Sequence, residues 1–187
     1  DDDFFVYRSF LKGIDYLNKN KKYVCYGAKM ITFGASNKFD QINSLPSNLS
    51  QMYKNNKINY KSKSAQSRFF FFLKNSYFVV FHCLFKRDVL LNVYSKILRS
   101  NLTIPNIVDL YANSLIYCIG LVKTGSEIMR LKQYHPTSDA KSRDINNTLS
   151  DKKFKRENIE CISKLTNFIQ SKENINKFSL KKKISKK

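Results

Sequence analysis

Residues 68–87, RFFFFLKNSYFVVFHCLFKR, form the most apolar stretch of the chain, and their reading decides the fold. A membrane-spanning helix needs about twenty consecutive apolar residues. Here Lys74, Asn75 and Ser76 interrupt the run, and the second half includes His82. A charge in mid-span is costly in a bilayer, so the spacing argues against a membrane anchor. Each half is of strand length and rich in Phe or Val, and Lys74-Asn75-Ser76 is good turn material. The pattern predicts a β-hairpin, residues 68–73 paired with 77–85. Runs this apolar predict strands covered on both faces, or with one face awaiting a partner.

Working outward, helical periodicity dominates the C-terminal side. Asp88 reads as an N-cap, with Leu91, Tyr94, Ile97 and Leu98 at helical spacing and Asn101 ending the helix. A second helix restarts at Thr103 or Ile104 with Pro105 in its first turn. Its broad apolar face is Val108, Tyr111, Leu115, Cys118, Ile119 and Val122, and Gly125 closes it. Asp109 and Asn113 argue for a core helix rather than a bilayer helix. Residues 127–134 continue helically until His135-Pro136. After a polar stretch, Asp151 caps a last helix with the stripe Ile159, Ile162, Leu165 and Ile169.

On the N-terminal side, Phe4, Tyr7, Leu11 and Ile14, with Phe10 and Leu17 on the same side, predict an amphipathic helix, with Asp1 to Asp3 at its positive end. Residues 23–26 and 30–33 are short runs of strand formers separated by Gly27 and Ala28, and they predict one or two strands. Gly27 and Gly34 match neither glycine-rich phosphate loop. These elements predict an α+β fold, a small antiparallel hairpin or sheet packed with several helices. The expected organisation is an N-terminal helix and strands over 1–40, a basic polar arm over 41–67, and a hairpin and helical core over 68–135. A polar linker over 136–150, a helix over 151–170 and a basic tail over 171–187 complete it.

Charge narrows the function. The 187 residues carry 34 Lys and Arg against 14 Asp and Glu, a formal net charge of +20. A chain so basic repels itself unless an anion neutralises it. Lys, Asn, Ile, Phe and Tyr have AT-rich codons and are abundant, which points to an AT-rich genome. Residues 41–87 contain no acid, and Tyr53 and Tyr60 are interleaved there with Lys54, Lys57, Lys61, Lys63 and Arg68. Cations neutralise phosphates while aromatic rings stack on unpaired bases. The tail adds Lys181, Lys182, Lys183, Lys186 and Lys187, with no acid after Glu173. The expected RNA contacts are phosphate binding by these cations and stacking by Tyr53 and Tyr60.

Catalytic chemistry has little to stand on. Cys25, Cys83, Cys118 and Cys161 are far apart in sequence and form no zinc or disulfide pattern. His82 adjoins Cys83, and neighbours on a strand point to opposite faces. Asp139 and Asp144 read as solvated loop carboxylates. No hydrolase, zincin or calcium-loop motif is present. The expectation is therefore no enzyme, no metal, no cofactor and no small-molecule substrate.

In overall character the chain resembles a ribosomal protein encoded by an AT-rich mitochondrial genome. The likeness lies in composition, basic loop and basic tail. No segment matches a particular ribosomal-protein family, so no residue role is carried over. The resemblance implies a non-catalytic structural protein of a ribonucleoprotein in the mitochondrial matrix, with ribosomal RNA and neighbouring ribosomal proteins as partners. A membrane partner is not expected. The competing expectations are an accessory subunit of a mitochondrial membrane complex and a DNA-binding protein.

Overall fold

The computed structural model describes residues 3–34, 49–52, 62–74, 83–134 and 151–173. The fold is α+β, as the alternation of helical and strand periodicities predicts. Its elements run β1 (Asp3–Phe5), α1 (Tyr7–Lys19), β2 (Tyr23–Gly34), β3 (Leu49–Met52), α2 (Ala65–Lys74), β4 (Leu84–Phe85), α3 (Arg87–Leu98), α4 (Pro105–Ile119), β5 (Leu121–Tyr134) and α5 (Lys152–Glu173).

The sheet is mixed rather than antiparallel. Its spine is the parallel pair β2–β5, in register from Tyr23 opposite Leu121 to Gly34 opposite Tyr134. Parallel neighbours need a long crossover, and here it carries α2, α3 and α4. The other edge of β2 pairs antiparallel with β4 at Cys25 and Tyr26, and with β3 from Met30 to Phe33. β1 pairs antiparallel with the far half of β5. The Gly27–Ala28 break is a register irregularity within one strand, not a division into two.

The apolar stretch that suggested a hairpin begins instead as a helix. Ala65, Arg68, Phe69 and Phe72 are the buried residues of α2, at i, i+3, i+4 and i+7. A run of consecutive phenylalanines satisfies strand and helix periods equally, so periodicity could not decide it. The cap decides it: the Ser67 N–H donates to Ser64 Oγ at 3.1 Å. Phe72 then stacks on Tyr117 of α4, with centroids 4.9 Å apart. The second half of the proposed hairpin falls outside the described residues until Cys83, and of its described residues Leu84 and Phe85 form a strand.

Three further boundaries differ from expectation. Helix α4 ends at Ile119 with Gly120 as its C-cap, so Val122 and Gly125 lie in β5, as do residues 127–134. Phe4 and Asp3 belong to β1, leaving no acid in the first turn of α1. The polar arm is interrupted by β3 and closed early by α2. Pro105 does open α4, and Asp151 does cap α5 by accepting the Lys153 N–H at 2.7 Å. Helix α3 has Lys86 as its N-cap, with Asp88 inside the first turn. Beyond it, Asn101 takes the left-handed conformation, φ 59°, which asparagine tolerates better than most residues.

Two apolar clusters hold the layers. The larger joins α2–α5 to Val24, Cys25 and Val122 of the sheet, with Leu115, Ile116 and Cys161 fully enclosed. The smaller lies under α1 and comprises Leu17, Tyr26, Ala28 and Met129. Helix α1 is mounted through Ser9, Gly13 and Leu17. Ser9 Oγ donates to the Ile128 carbonyl at 2.6 Å, and Gly13 meets Leu84 and Tyr26 with no room for a Cβ. Of the expected apolar stripe only Leu17 is buried and Phe10 half-buried; the rest is turned outward, with Tyr7 73% exposed and Phe4, Leu11 and Ile14 exposed as well. Helix α3 does the same: Val89 and Val93 are buried, while Leu91, Tyr94 and Leu98 face solvent.

Candidate nucleic-acid interface

The chain has few carboxylates, and three of those among the described residues, Glu127, Glu157 and Glu173, are engaged within the fold. Glu157 of α5, only 2% exposed, accepts the Thr103 N–H (2.8 Å), the Ile104 N–H (2.9 Å) and the Thr103 hydroxyl (2.8 Å). These groups open α4, whose positive end the carboxylate complements. Glu173, near the end of α5, does the same for α2, accepting from Ala65 N–H, Gln66 N–H and Ser64 Oγ. Glu127 accepts the Tyr26 hydroxyl and pairs with Lys12 at 3.1 Å. Asp15 pairs with Lys19 at 2.9 Å and Glu160 with Lys164 at 3.2 Å.

Arg68 closes the other end of α4. It is 8% exposed, and its Nε and Nη2 donate to the Tyr117 and Cys118 carbonyls, each at 2.7 Å. Nη1 donates to the Ser62 and Lys63 carbonyls at 2.9 and 2.6 Å. Burial lowers the guanidinium pKa, an effect opposed by Cys118 and Glu173. An arginine starts so high that it stays charged. The terminal carbonyls of α4 thus hold a buried cation, the favourable sign at that end of the helix dipole.

Above Arg68 lies a cleft of about 820 Å³. Tyr16 and Asn20 line it from α1, Lys22 and Tyr23 from the start of β2, and Lys63 from the approach to α2. Gly120, Leu121 and Lys123 line it where α4 passes into β5. Among the described residues no carboxylate lines it. The parallel register creates this convergence, because Tyr23 sits opposite Leu121 and Tyr26 opposite Lys123. Lys123 Nζ lies 5.8 Å from the Tyr16 ring centre, and Tyr16 meets Tyr23 edge-on at 5.2 Å. Burial, with the Tyr23 contact, pushes the Tyr16 hydroxyl up to about 12. The phenol stays neutral, and the cleft's charge is that of its lysines and Arg68. Such an arrangement can hold phosphate oxygens with ammonium groups beside aromatic rings.

Of the expected RNA contacts, only Lys63 and Arg68 fall among the described residues. Tyr53, Lys54, Lys57, Tyr60, Lys61, Lys181, Lys182, Lys183, Lys186 and Lys187 lie outside them. Lys63 is exposed at the cleft. Arg68 lies at its floor with its donors turned to carbonyls, so its role there is structural as well as electrostatic. Lys22, Lys123, Tyr16 and Tyr23 were not anticipated. The run Lys21-Lys22-Tyr23 offered a basic-aromatic signal, whereas Lys123 sits in a segment read as helix. Among the described residues no three His, Cys, Asp or Glu converge to hold a metal, and no helix is long and apolar enough to cross a membrane. No family model, curated protein or solved structure matches the chain.

Proposed function

We propose that this is a non-catalytic RNA-binding protein of a large ribonucleoprotein, a structural component of a mitochondrial ribosome that contacts ribosomal RNA. The observation that carries the reading is the division of charge. Glu127, Glu157 and Glu173 are turned inward to helix ends and a buried hydroxyl, while Lys22, Lys63 and Lys123 meet at a cleft lined, among the described residues, by no acid. A polyanion supplies the missing counter-charge, and its binding releases condensed ions. The acid-free sequence of residues 41–87 and the lysine-rich end carry charge of the same sign. The exposed apolar residues of α1 and α3 suit protein neighbours in a crowded particle.

The test is binding of the full chain to a structured RNA across a salt series. Each lost phosphate contact lowers the slope of log K against log salt by about 0.7–0.9. The double substitutions Lys22→Ala/Lys123→Ala and Lys57→Ala/Lys61→Ala should each flatten that slope by about 1.4–1.8. A wild-type slope near zero contradicts the proposal. Unchanged slopes in both variants remove these lysines from the interface.

A further inference from the structure

A second cationic groove, of about 380 Å³, lies where α3, α4 and α5 meet. Lys96 and Arg99 come from the end of α3, Tyr111 from α4, and Lys164 and Phe168 from α5. The Phe168 ring gathers two ammonium groups, Lys96 Nζ at 4.8 Å and Lys172 Nζ at 5.8 Å from its centre. Cation–π attraction holds them there, yet like charges on one ring repel unless an anion joins them.

The local charge balance leaves room for that anion. Glu160 offsets Lys164. The C-terminal ends of α3 and α5 each contribute about half a negative charge. Against Lys96, Arg99 and Lys172, and with the Glu173 carboxylate next to Lys172 at the end of α5, this leaves about one positive charge, enough for one phosphodiester. The helix dipoles alone therefore do not explain the cluster.

The groove and the cleft are separate sites. Among the described residues they share no lining residue. Tyr111 in one and Gly120 in the other are nine positions apart, about 13 Å along a helix. Residues 111–118 of α4 are buried throughout, so packed protein separates the two openings.

We propose that the protein is bivalent for RNA, with the groove around Phe168 and the cleft around Lys123 gripping the phosphate backbones of two different segments. This rests on the RNA-binding reading and adds to it a tying function, in which one compact domain pins two strands together.

A sandwich capture tests it. Full-length protein, shown monomeric by sedimentation equilibrium, is added to one immobilised single-stranded RNA oligonucleotide, and a second, labelled oligonucleotide that cannot pair with the first is supplied. Wild type should retain the label. Lys96→Ala/Lys172→Ala should lose it by about tenfold at 0.15 M salt, from two contacts at about 0.7 in salt slope each. Lys22→Ala/Lys123→Ala should lose it similarly, and each variant should still bind one oligonucleotide through the intact site. Wild type that binds one oligonucleotide but never a second overturns the bivalency alone. Capture that survives in both variants overturns it too, by placing the second contact elsewhere. Wild type that binds no RNA overturns both the bivalency and the RNA-binding reading.

Discussion

Replacing Glu157 by Ala should destabilise the fold while leaving the RNA-facing surface untouched. The carboxylate is nearly fully buried and accepts three hydrogen bonds at the start of α4. Loss of a helix cap costs about 0.5–2 kcal/mol. A buried N–H left without an acceptor adds roughly 1–3 kcal/mol. Thr103 is exposed and can turn to water, so the penalty falls mainly on Ile104. The sum is about 1.5–5 kcal/mol, or a fall in Tm of roughly 3–20 °C for a domain of this size. Glu157→Gln keeps one acceptor oxygen and should cost about half as much. The effect should depend on pH. Burial raises the Glu157 pKa, but the N–H groups of Ile104 and Thr103, the Thr103 hydroxyl and Lys153 outweigh it and hold the carboxyl below its ordinary 4.5. A depressed folded-state pKa gives stability that is complete above the ordinary value and is lost as pH falls through the folded value. The wild-type advantage over Glu157→Gln should thus be full at pH 7 and shrink on acidification below about 4.5. Thermal melts followed by circular dichroism at pH 7 and pH 3.5 measure both. A Glu157→Ala protein melting within about 1 °C of wild type at pH 7 would refute the capping argument.

Other substitutions probe other joints. Arg68→Met removes the buried cation and strands four carbonyls, and it should cost about 3–5 kcal/mol by urea unfolding. Gly120→Ala places a Cβ against the Val24 side chain and should cost about 1–3 kcal/mol in the same assay. Leu98→Ser, on an 81% exposed side chain, should shift stability by less than about 0.5 kcal/mol. Thiol titration of the native protein at pH 7.5 should modify Cys83 first. Burial pushes Cys118 and Cys161 up to about 12 and raises Cys25 strongly, so these three should react only on unfolding.

Much of the helical layer was legible because local chemistry marks its ends. Pro105 can open a helix but not continue one from upstream, and Asp151 is a cap residue followed by a periodic stripe. The faces were less legible. On α1 and α3 the most apolar side is not the buried one. Ser9 and Gly13 allow α1 to lie close on Tyr26 and Leu84, and a hydropathy pattern gives no weight to such small residues. Helix α2 was hidden by four successive phenylalanines, which carry no period. Strand β5 was hidden by Thr124, Gly125 and Ser126, which break the alternation expected of a strand. The cleft could not be read at all from spacing. Lys22 and Lys123 lie a hundred residues apart in sequence, and only the parallel β2–β5 pairing brings their segments side by side. Arg68 read as a phosphate contact because the acceptors that bury it are backbone carbonyls, which leave no trace in a sequence.

Sedimentation of the native protein from a cell or organelle lysate, with and without ribonuclease and across a salt series, tests the central claim most directly. The account predicts co-sedimentation with a large particle at low salt, lost on ribonuclease treatment or at high salt. Sedimentation that survives ribonuclease and is abolished by detergent would contradict it and make the protein a subunit of a membrane complex.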